Sequence, residues 1–297
     1  MNQKILLTGV TGQVGHELQQ TLTAVGEVIS VTRQQLDLTK PEQIRDAIAS
    51  IQPDIIVNSA AYTAVDKSES ETELAIAINA TAPQIMAQEA QKRGATLVHL
   101  STDYVFNGCH YRPYTEDDVT APLGIYGKSK LLGEIAVREN CDRHIILRTA
   151  WVYGSFGHGN FVKTMLRLGA QREELKVVTD QIGSPTWSYD IARAINQLLL
   201  ETEAATKKGT YHFTDSGVAS WYDFAVAIFD EARQIGFPLA IKQVLPITTA
   251  QYPTPAQRPA YSVLSKEKIT QALGVDPPHW RESLRKMLVQ WNNLQEK

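Results

Sequence analysis

The sequence predicts an α/β chain built on a doubly wound parallel sheet. Two observations carry the prediction. Short runs rich in Val, Ile and Leu alternate with longer helix-like stretches through the first half, and a glycine-rich turn separates the first run from the first helix. The runs lie at 5–8, 28–31, 55–58, 97–101 and 145–147. Continuous apolar strands of this kind suit a sheet covered on both faces. Helical patterns fill the intervals 14–25, 41–51, 82–93 and 129–139. Thr39 followed by Glu42 reads as a capping box, and Gly94 after Arg93 as a C-terminal stop.

After Thr149 the rhythm changes. A glycine-rich turn at 153–159 leads to a helix over 161–168, a strand at 177–178 and a helix over 189–200. An amphipathic helix over 221–235 places Trp221, Phe224, Ala225, Ile228 and Phe229 on one face, which reads as core. The four prolines of 246–259 predict an irregular loop, and 279–294 a closing helix. With 297 residues and roughly 150 per domain, two domains are expected. Residues 1–150 form the first, with a return segment near 177–203. Residues 151–297 form mainly a second, smaller α/β domain for substrate.

Composition narrows the function classes. Apolar residues make up 43% and charged residues 21%, which excludes disorder, collagen and coiled coil. A net charge of −3 is too balanced for a general nucleic-acid binder. The two cysteines, Cys109 and Cys141, support neither a disulfide framework nor a Cys-rich zinc site. No apolar run is long enough for a transmembrane helix, and the first residues lack a signal-type apolar region. A soluble cytoplasmic protein is expected, with neither nucleic acid nor membrane as partner.

Gly9, Gly12 and Gly15 follow the first strand at G-x-x-G-x-x-G spacing, which arises by chance about 0.07 times in such a chain. Glycine there lets the turn approach a pyrophosphate while the helix N-terminus directs its N–H groups at the charge. The plain alternative is a tight turn without ligand. Together with the strand–helix alternation, this spacing makes the first domain Rossmann-type and NAD(P)-binding. An acid after the second strand would read the free 2′-hydroxyl of NAD. The chain offers Thr32 and Arg33 there, a pair suited to the 2′-phosphate of NADP. Arg33 is otherwise a solvated surface residue. Asp37, followed by Leu38, could accept from the adenine amino group.

Ser101-Thr102-Asp103-Tyr104 ends the fourth strand, and Tyr126 and Lys130 then sit at i and i+4 of a helix. The Tyr-x-x-x-Lys spacing alone is weak, with about half a match expected by chance. Its order after the glycine loop and the strand-end hydroxyls gives it meaning. A free phenol titrates near ~10, and an ammonium beside it would bring it toward neutrality. The plain alternative is a helical Tyr beside an exposed Lys. Arg258 before Pro259 is either a ligand for the substrate diphosphate or a loop-anchoring ion pair. The histidines, among them His16, His99, His144, His158 and His212, have no metal-ligand spacing and read as structural.

These features resemble the extended short-chain dehydrogenase/reductase superfamily across the first domain. Ser101-Thr-Asp-Tyr-Val-Phe106, Arg148-Thr-Ala-Trp-Val-Tyr153, Thr179-Asp-Gln-Ile-Gly-Ser-Pro-Thr186 and Tyr252-Pro-Thr-Pro-Ala-Gln-Arg-Pro259 extend the likeness over nearly the full chain, to the dTDP-4-dehydrorhamnose reductase family. That resemblance implies hydride transfer from NADPH to the C4 ketone of a dTDP-sugar, with NADH left open. Tyr126 would deliver the proton, Lys130 would also bind the nicotinamide ribose, and Thr102 would bond near the ketone. It further implies that Gly12, Gln13, Val14, Asp37, Leu38, Ala60, Ala61 and Tyr62 line the cofactor, and that Asp103 and Trp151 touch the sugar nucleotide. A Mg²⁺ requirement and a homodimer stay open, since no Glu cluster marks the metal site some members carry. Asp103-Tyr104 after Thr102 lacks the Asp-Glu pair of sugar-nucleotide dehydratases. An epimerase and a non-catalytic regulatory subunit of the methionine adenosyltransferase type remain as alternatives.

Overall fold

The computed structural model describes residues 3–200 and 208–295. The last part of the expected return segment, 201–203, lies outside them. The first half runs β1 (Gln3–Thr8), α1 (Gln13–Thr21), β2 (Gly26–Ser30), α2 (Pro41–Ile51), β3 (Ile55–Asn58), α3 (Val65–Ser68), α4 (Thr72–Ile76), α5 (Ala82–Arg93), β4 (Thr96–Thr102), α6 (Ile125–Asn140) and β5 (His144–Thr149). Then come β6 (Val152–Tyr153), α7 (Phe161–Gly169), β7 (Glu174–Val178), β8 (Ile182–Gly183), β9 (Thr186–Trp187) and α8 (Ser188–Leu200). The chain closes with β10 (Gly209–His212), β11 (Ala219–Ser220), α9 (Trp221–Gln234), β12 (Gln243–Ile247), α10 (Glu267–Leu273) and α11 (Trp280–Gln295).

Six strands form one parallel sheet in the order β10-β5-β4-β3-β1-β2. Successive side chains point to opposite faces, so each apolar run feeds two cores. Ile5, Leu7, Val57, Val98 and Ile145 pack under α1 and α8, whereas Leu6, Ile56, Leu97 and Ile146 pack under α2, α5 and α6. That two-sided burial explains runs without polar alternation. A separate apolar cluster joins α7, α9 and α11 through Leu166, Phe224, Ile228, Phe229 and Leu284. Strand order reverses direction between β1 and β3, the place where ligands enter such sheets.

Most expected elements lie within a few residues of their bounds, α3, α4, α10, β10 and β12 have no counterpart in the expectation, and three expectations differ. Thr39 does not cap α2: the cap position is Lys40 with no side-chain bond, and the Thr39 hydroxyl donates to Asp37 Oδ1 at 2.8 Å. A nearer acid competes successfully for the hydroxyl. The 246–259 stretch is not wholly irregular, because Pro246 lies within β12, paired in parallel with β7. Proline is tolerated there because a two-stranded ribbon has only edge strands. The helix expected over 14–25 ends at Thr21 and continues as a 3₁₀ turn, Leu22–Ala24. Gly94 does stop α5, in the left-handed conformation at φ 68°.

Helix α6 is fixed to the sheet by a buried ion pair. Arg148 on β5 donates through Nε to Glu134 Oε1 at 2.9 Å and through NH2 to Oε2 at 2.7 Å. Ser101 on β4 donates to Oε1 at 2.6 Å, and Arg138 to Oε2 at 3.1 Å. Burial pushes the Glu134 carboxyl up, but Arg148, Ser101 and Arg138 outweigh it and hold it below its usual range. Removing one partner of such a pair costs about 3–5 kcal/mol, because the other charge stays buried. Arg148→Met should lower unfolding free energy by about that amount in urea titration, and adding Glu134→Leu should restore much of it. A single-variant loss below about 1 kcal/mol would show that Ser101 and Arg138 suffice for Glu134.

Candidate active site

A cavity of about 540 Å³ opens at the carboxyl ends of β1 and β3. Its floor is the turn after β1. Gly9 has φ 76°, a left-handed value that favours glycine, and its carbonyl accepts from Gly12 N at 2.9 Å. A Cβ at Gly15 would run into the Gly9 carbonyl, so the third glycine is required by the close passage of α1 over the turn. Ser59 donates to the Thr8 carbonyl at 2.6 Å and ties the ends of β1 and β3 together. Over the turn lies the 154–159 segment, whose neighbour Asn160 donates to Gln13 Oε1 at 2.7 Å.

Of the residues expected at a cofactor, Gly9, Gly12, Gln13, Val14, Gly15, Thr32, Arg33, Asp37, Leu38, Ala60, Ala61, Tyr126 and Lys130 all line this cavity. Tyr62 is outside its lining and donates instead to Glu71 at 2.6 Å. Asp37 is held below its ordinary value by the Thr39 backbone and hydroxyl, with Arg33 and Lys40 adding to the effect. The cavity fits a dinucleotide on two observations: a glycine turn open to a helix N-terminus, and the buried Thr149 Oγ1, which has no hydrogen-bond partner in the cavity wall. Thr149 and His158 line the cavity too, and sequence reasoning missed both. The single hydroxyl of Thr149 carries no motif, and His158 is placed only by the turn that crosses the glycine loop.

Thr102, the last residue of β4, donates to Asp103 Oδ1 at 2.9 Å and accepts from Tyr104 N at 3.2 Å. The Tyr104 and Tyr126 rings meet edge to face at 5.4 Å. Burial pushes the Tyr126 phenol well above its usual pKa, the Thr102 hydroxyl bonded to it pulls it back, and Asp103 and Tyr104 push it further up. The i,i+4 spacing suggested a lysine lowering that phenol. Instead, Lys130 Nζ donates to the Leu100 carbonyl at 2.6 Å and lies 3.3 Å from His99 Nε2. Helical spacing puts the two residues on one face, but the long side chain turns inward to strand-end acceptors. The Thr102 hydroxyl thus acts on the phenol, while the Lys130 amine is turned to Leu100 and His99.

Arg258 pairs with Asp66 at 3.0 Å, the loop-anchoring arrangement, and its guanidinium also acts on the Tyr104 phenol. Trp151 follows β5 with φ 48°, a strained value for a bulky residue, and stacks on Trp221 at 3.5 Å. A Cβ at Gly183 would run into the Trp151 indole. Thr102, Asp103, Trp151 and Arg258 all lie outside the cavity lining. Among the described residues, no group of His, Cys, Asp and Glu is arranged to hold a metal ion, and no helix is long and apolar enough to cross a membrane.

Burial pushes Asp103 up to about 6, while the hydroxyls of Ser262 and Thr102 pull it down. A carboxyl raised in the folded state binds its proton more tightly than the unfolded chain does. Stability from this group is therefore greatest below its ordinary value of 3.8 and falls as pH rises to about 6. The rise corresponds to roughly 3 kcal/mol. Asp103→Asn should be more stable than the parent at pH 7 by up to about that amount, with the difference vanishing near pH 4. Melting curves at both pH values check this, and an equal difference at both would show that Asp103 does not titrate as described.

Residues 3–293 match the family described as the RmlD substrate binding domain. The dTDP-4-dehydrorhamnose reductase of Escherichia coli K12 is 46% identical over 292 residues, 96% of each chain. The spore coat polysaccharide biosynthesis protein SpsK of Bacillus subtilis is 46% identical over 286 residues, again 96% of each. Among solved structures, a dTDP-4-dehydrorhamnose reductase of Bacillus anthracis in complex with NADP superposes with a TM-score of 0.90 at 39% identity, covering 98% of this chain and 100% of that one. A UDP-glucose 4-epimerase of Thermotoga maritima at 18% identity and TM-score 0.79 shares the fold alone. A glycine-floored cavity, a phenol beside the β4-end hydroxyl and this full-length likeness together place the chain in the RmlD substrate-binding domain family, that of the dTDP-4-dehydrorhamnose reductases.

Proposed function

We propose that this chain reduces the C4 ketone of dTDP-4-dehydro-L-rhamnose to the alcohol of dTDP-L-rhamnose with NADPH. The observation that carries the reading is that Tyr126 and Lys130 line the glycine-floored cavity, with the Thr102 hydroxyl acting on the Tyr126 phenol. Gly9 to Gly15 would hold the pyrophosphate, Thr32 and Arg33 the 2′-phosphate, and Lys130 the nicotinamide ribose. When bound, NADPH supplies the hydride. Tyr126 Oη, kept protonated by burial, gives its proton to the ketone oxygen as negative charge develops there. Thr102 orients that phenol and contacts the same oxygen. Asp103 and the Trp151 indole would meet the sugar, a carboxyl suited to its hydroxyls and an indole to its apolar face. Arg258, already paired with Asp66, would meet the diphosphate only by sharing its guanidinium.

Tyr126→Phe keeps the ring and removes the proton, so single-turnover hydride transfer at saturating NADPH should fall ~10²–10⁴-fold. Binding of NADPH should change little, and a rate within about threefold of the parent would exclude Tyr126 as the donor. Arg33→Ala should raise the KM for NADPH ~10-fold or more and leave that for NADH nearly unchanged, since one charge-assisted contact is worth about 1.5–3 kcal/mol. Equal damage with both coenzymes would make Arg33 structural. Net NADPH oxidation with the 4-dehydro sugar separates a reductase from an epimerase, which interconverts 4-keto sugars without net oxidation.

A further inference from the structure

Behind the site, a buried line of side chains crosses the sheet from β1 to α6. Thr8 Oγ1 donates to Asn58 Oδ1 at 2.8 Å, Asn58 Nδ2 lies 3.1 Å from His99 Nδ1, and His99 Nε2 lies 3.3 Å from Lys130 Nζ. None of the four is more than 2% exposed. The charged groups facing this line are few. Glu134, on the same helix, favours the Lys130 ammonium, while burial brings that amine down to about 8. Arg148 on β5 is engaged with Glu134, and β3 and the 77–81 segment contribute only uncharged side chains. Burial and the Lys130 charge keep His99 well below its usual pKa, hence neutral.

A neutral imidazole has one donor and one acceptor nitrogen. With Lys130 as ammonium, Nε2 must accept, so Nδ1–H must donate to the Asn58 amide oxygen. With Lys130 as neutral amine, Nε2–H donates to Nζ and Nδ1 accepts from the Asn58 NH₂. The Asn58 amide stands as the second wiring needs, its oxygen accepting from Thr8 and its nitrogen toward Nδ1. A half-turn of the amide gives the first, and the Thr8 hydroxyl can then accept.

We propose that His99 is a positioning residue for Lys130 whose tautomer follows the charge of the amine, so that Nζ keeps a partner in both states. It rests on the reading of Lys130 as the partner of Tyr126 and the cofactor. Passing from ammonium to amine, the pair loses one proton in net terms. One proton leaves to water through Lys130, which lines the cavity, and the ring's single proton ends on Nε2 instead of Nδ1, so the ring stays neutral. A buried lysine held this way releases and regains a proton without leaving an unpaired polar group.

Nitrogen NMR of ¹⁵N-histidine-labelled protein between about pH 6 and pH 10 tests it, spanning the ordinary range of a perturbed lysine. The His99 signals are assigned by their loss in His99→Gln. Expected is a neutral ring throughout, Nδ1–H at low pH and Nε2–H at high pH, with the crossing near the Lys130 midpoint of about 8. Lys130→Met should abolish the crossing. A single tautomer over the whole range, a doubly protonated ring, or a crossing that survives Lys130→Met would overturn the proposal. These spectra need no substrate, so they stand apart from whether the sugar is reduced. If the chain is the reductase, His99→Gln should also slow single-turnover hydride transfer about tenfold while the KM for NADPH moves less than threefold. An unchanged rate would likewise count against it.

Discussion

The arrangement of the site depends on the ion pair between Glu134 and Arg148. Both carboxylate oxygens are engaged, at 2.7 and 2.9 Å, and Ser101 adds a third bond from the adjoining strand. One side chain of α6 is thereby tied to β5 and β4 at once. Lys130 and Tyr126 sit one and two turns earlier on the same helix, and Thr102 directly follows Ser101. The distance between phenol and strand-end hydroxyl is thus set by a charge pair deep in the sheet, away from solvent fluctuations. Bidentate geometry suits this role because it fixes orientation as well as separation.

Electrostatics at the rim follow from burial more than from charge pairing. Tyr126, Tyr104 and Asp103 all hold their protons more tightly than in water, each chiefly through desolvation. Such a surrounding disfavours anions until something in the cleft stabilises them. A phenol in that setting is a proton source, which is the direction ketone reduction needs. The cation on α6 is kept from the phenol by its own partners, Leu100 and His99.

Much of this was legible in the sequence. Two-sided burial writes itself as uninterrupted Val, Ile and Leu runs, so the strands and the parallel sheet could be read directly. Glycine spacing marked the turn because steric constraints at Gly9 and Gly15 leave no other residue. What could not be read lies in long-range pairing. Nothing near Thr39 says that Asp37 will take its hydroxyl, and nothing near Pro246 says that β7 will lie beside it. Lys130 shows the limit of periodicity: helical spacing gives the face, but a four-carbon chain chooses its end partner from the tertiary surroundings. His99 reads as an ordinary buried histidine until Asn58 and Lys130 are seen on either side.

Strand β10 has a consequence for how the protein is made. It pairs with β5 along Ile145 to Arg148, yet the chain between them builds α7, β7 and α8 first. During synthesis the nascent sheet therefore carries an open edge at β5 until residue 212 has left the ribosome. Closing it requires a pairing across a long loop, the slow kind of contact. Arg148 meets His212 only at that moment, at 3.2 Å. The last contact of Arg148 and the last strand of the sheet are thus completed in one late step, and a ribosome-stalled fragment ending before β10 would expose a sticky strand.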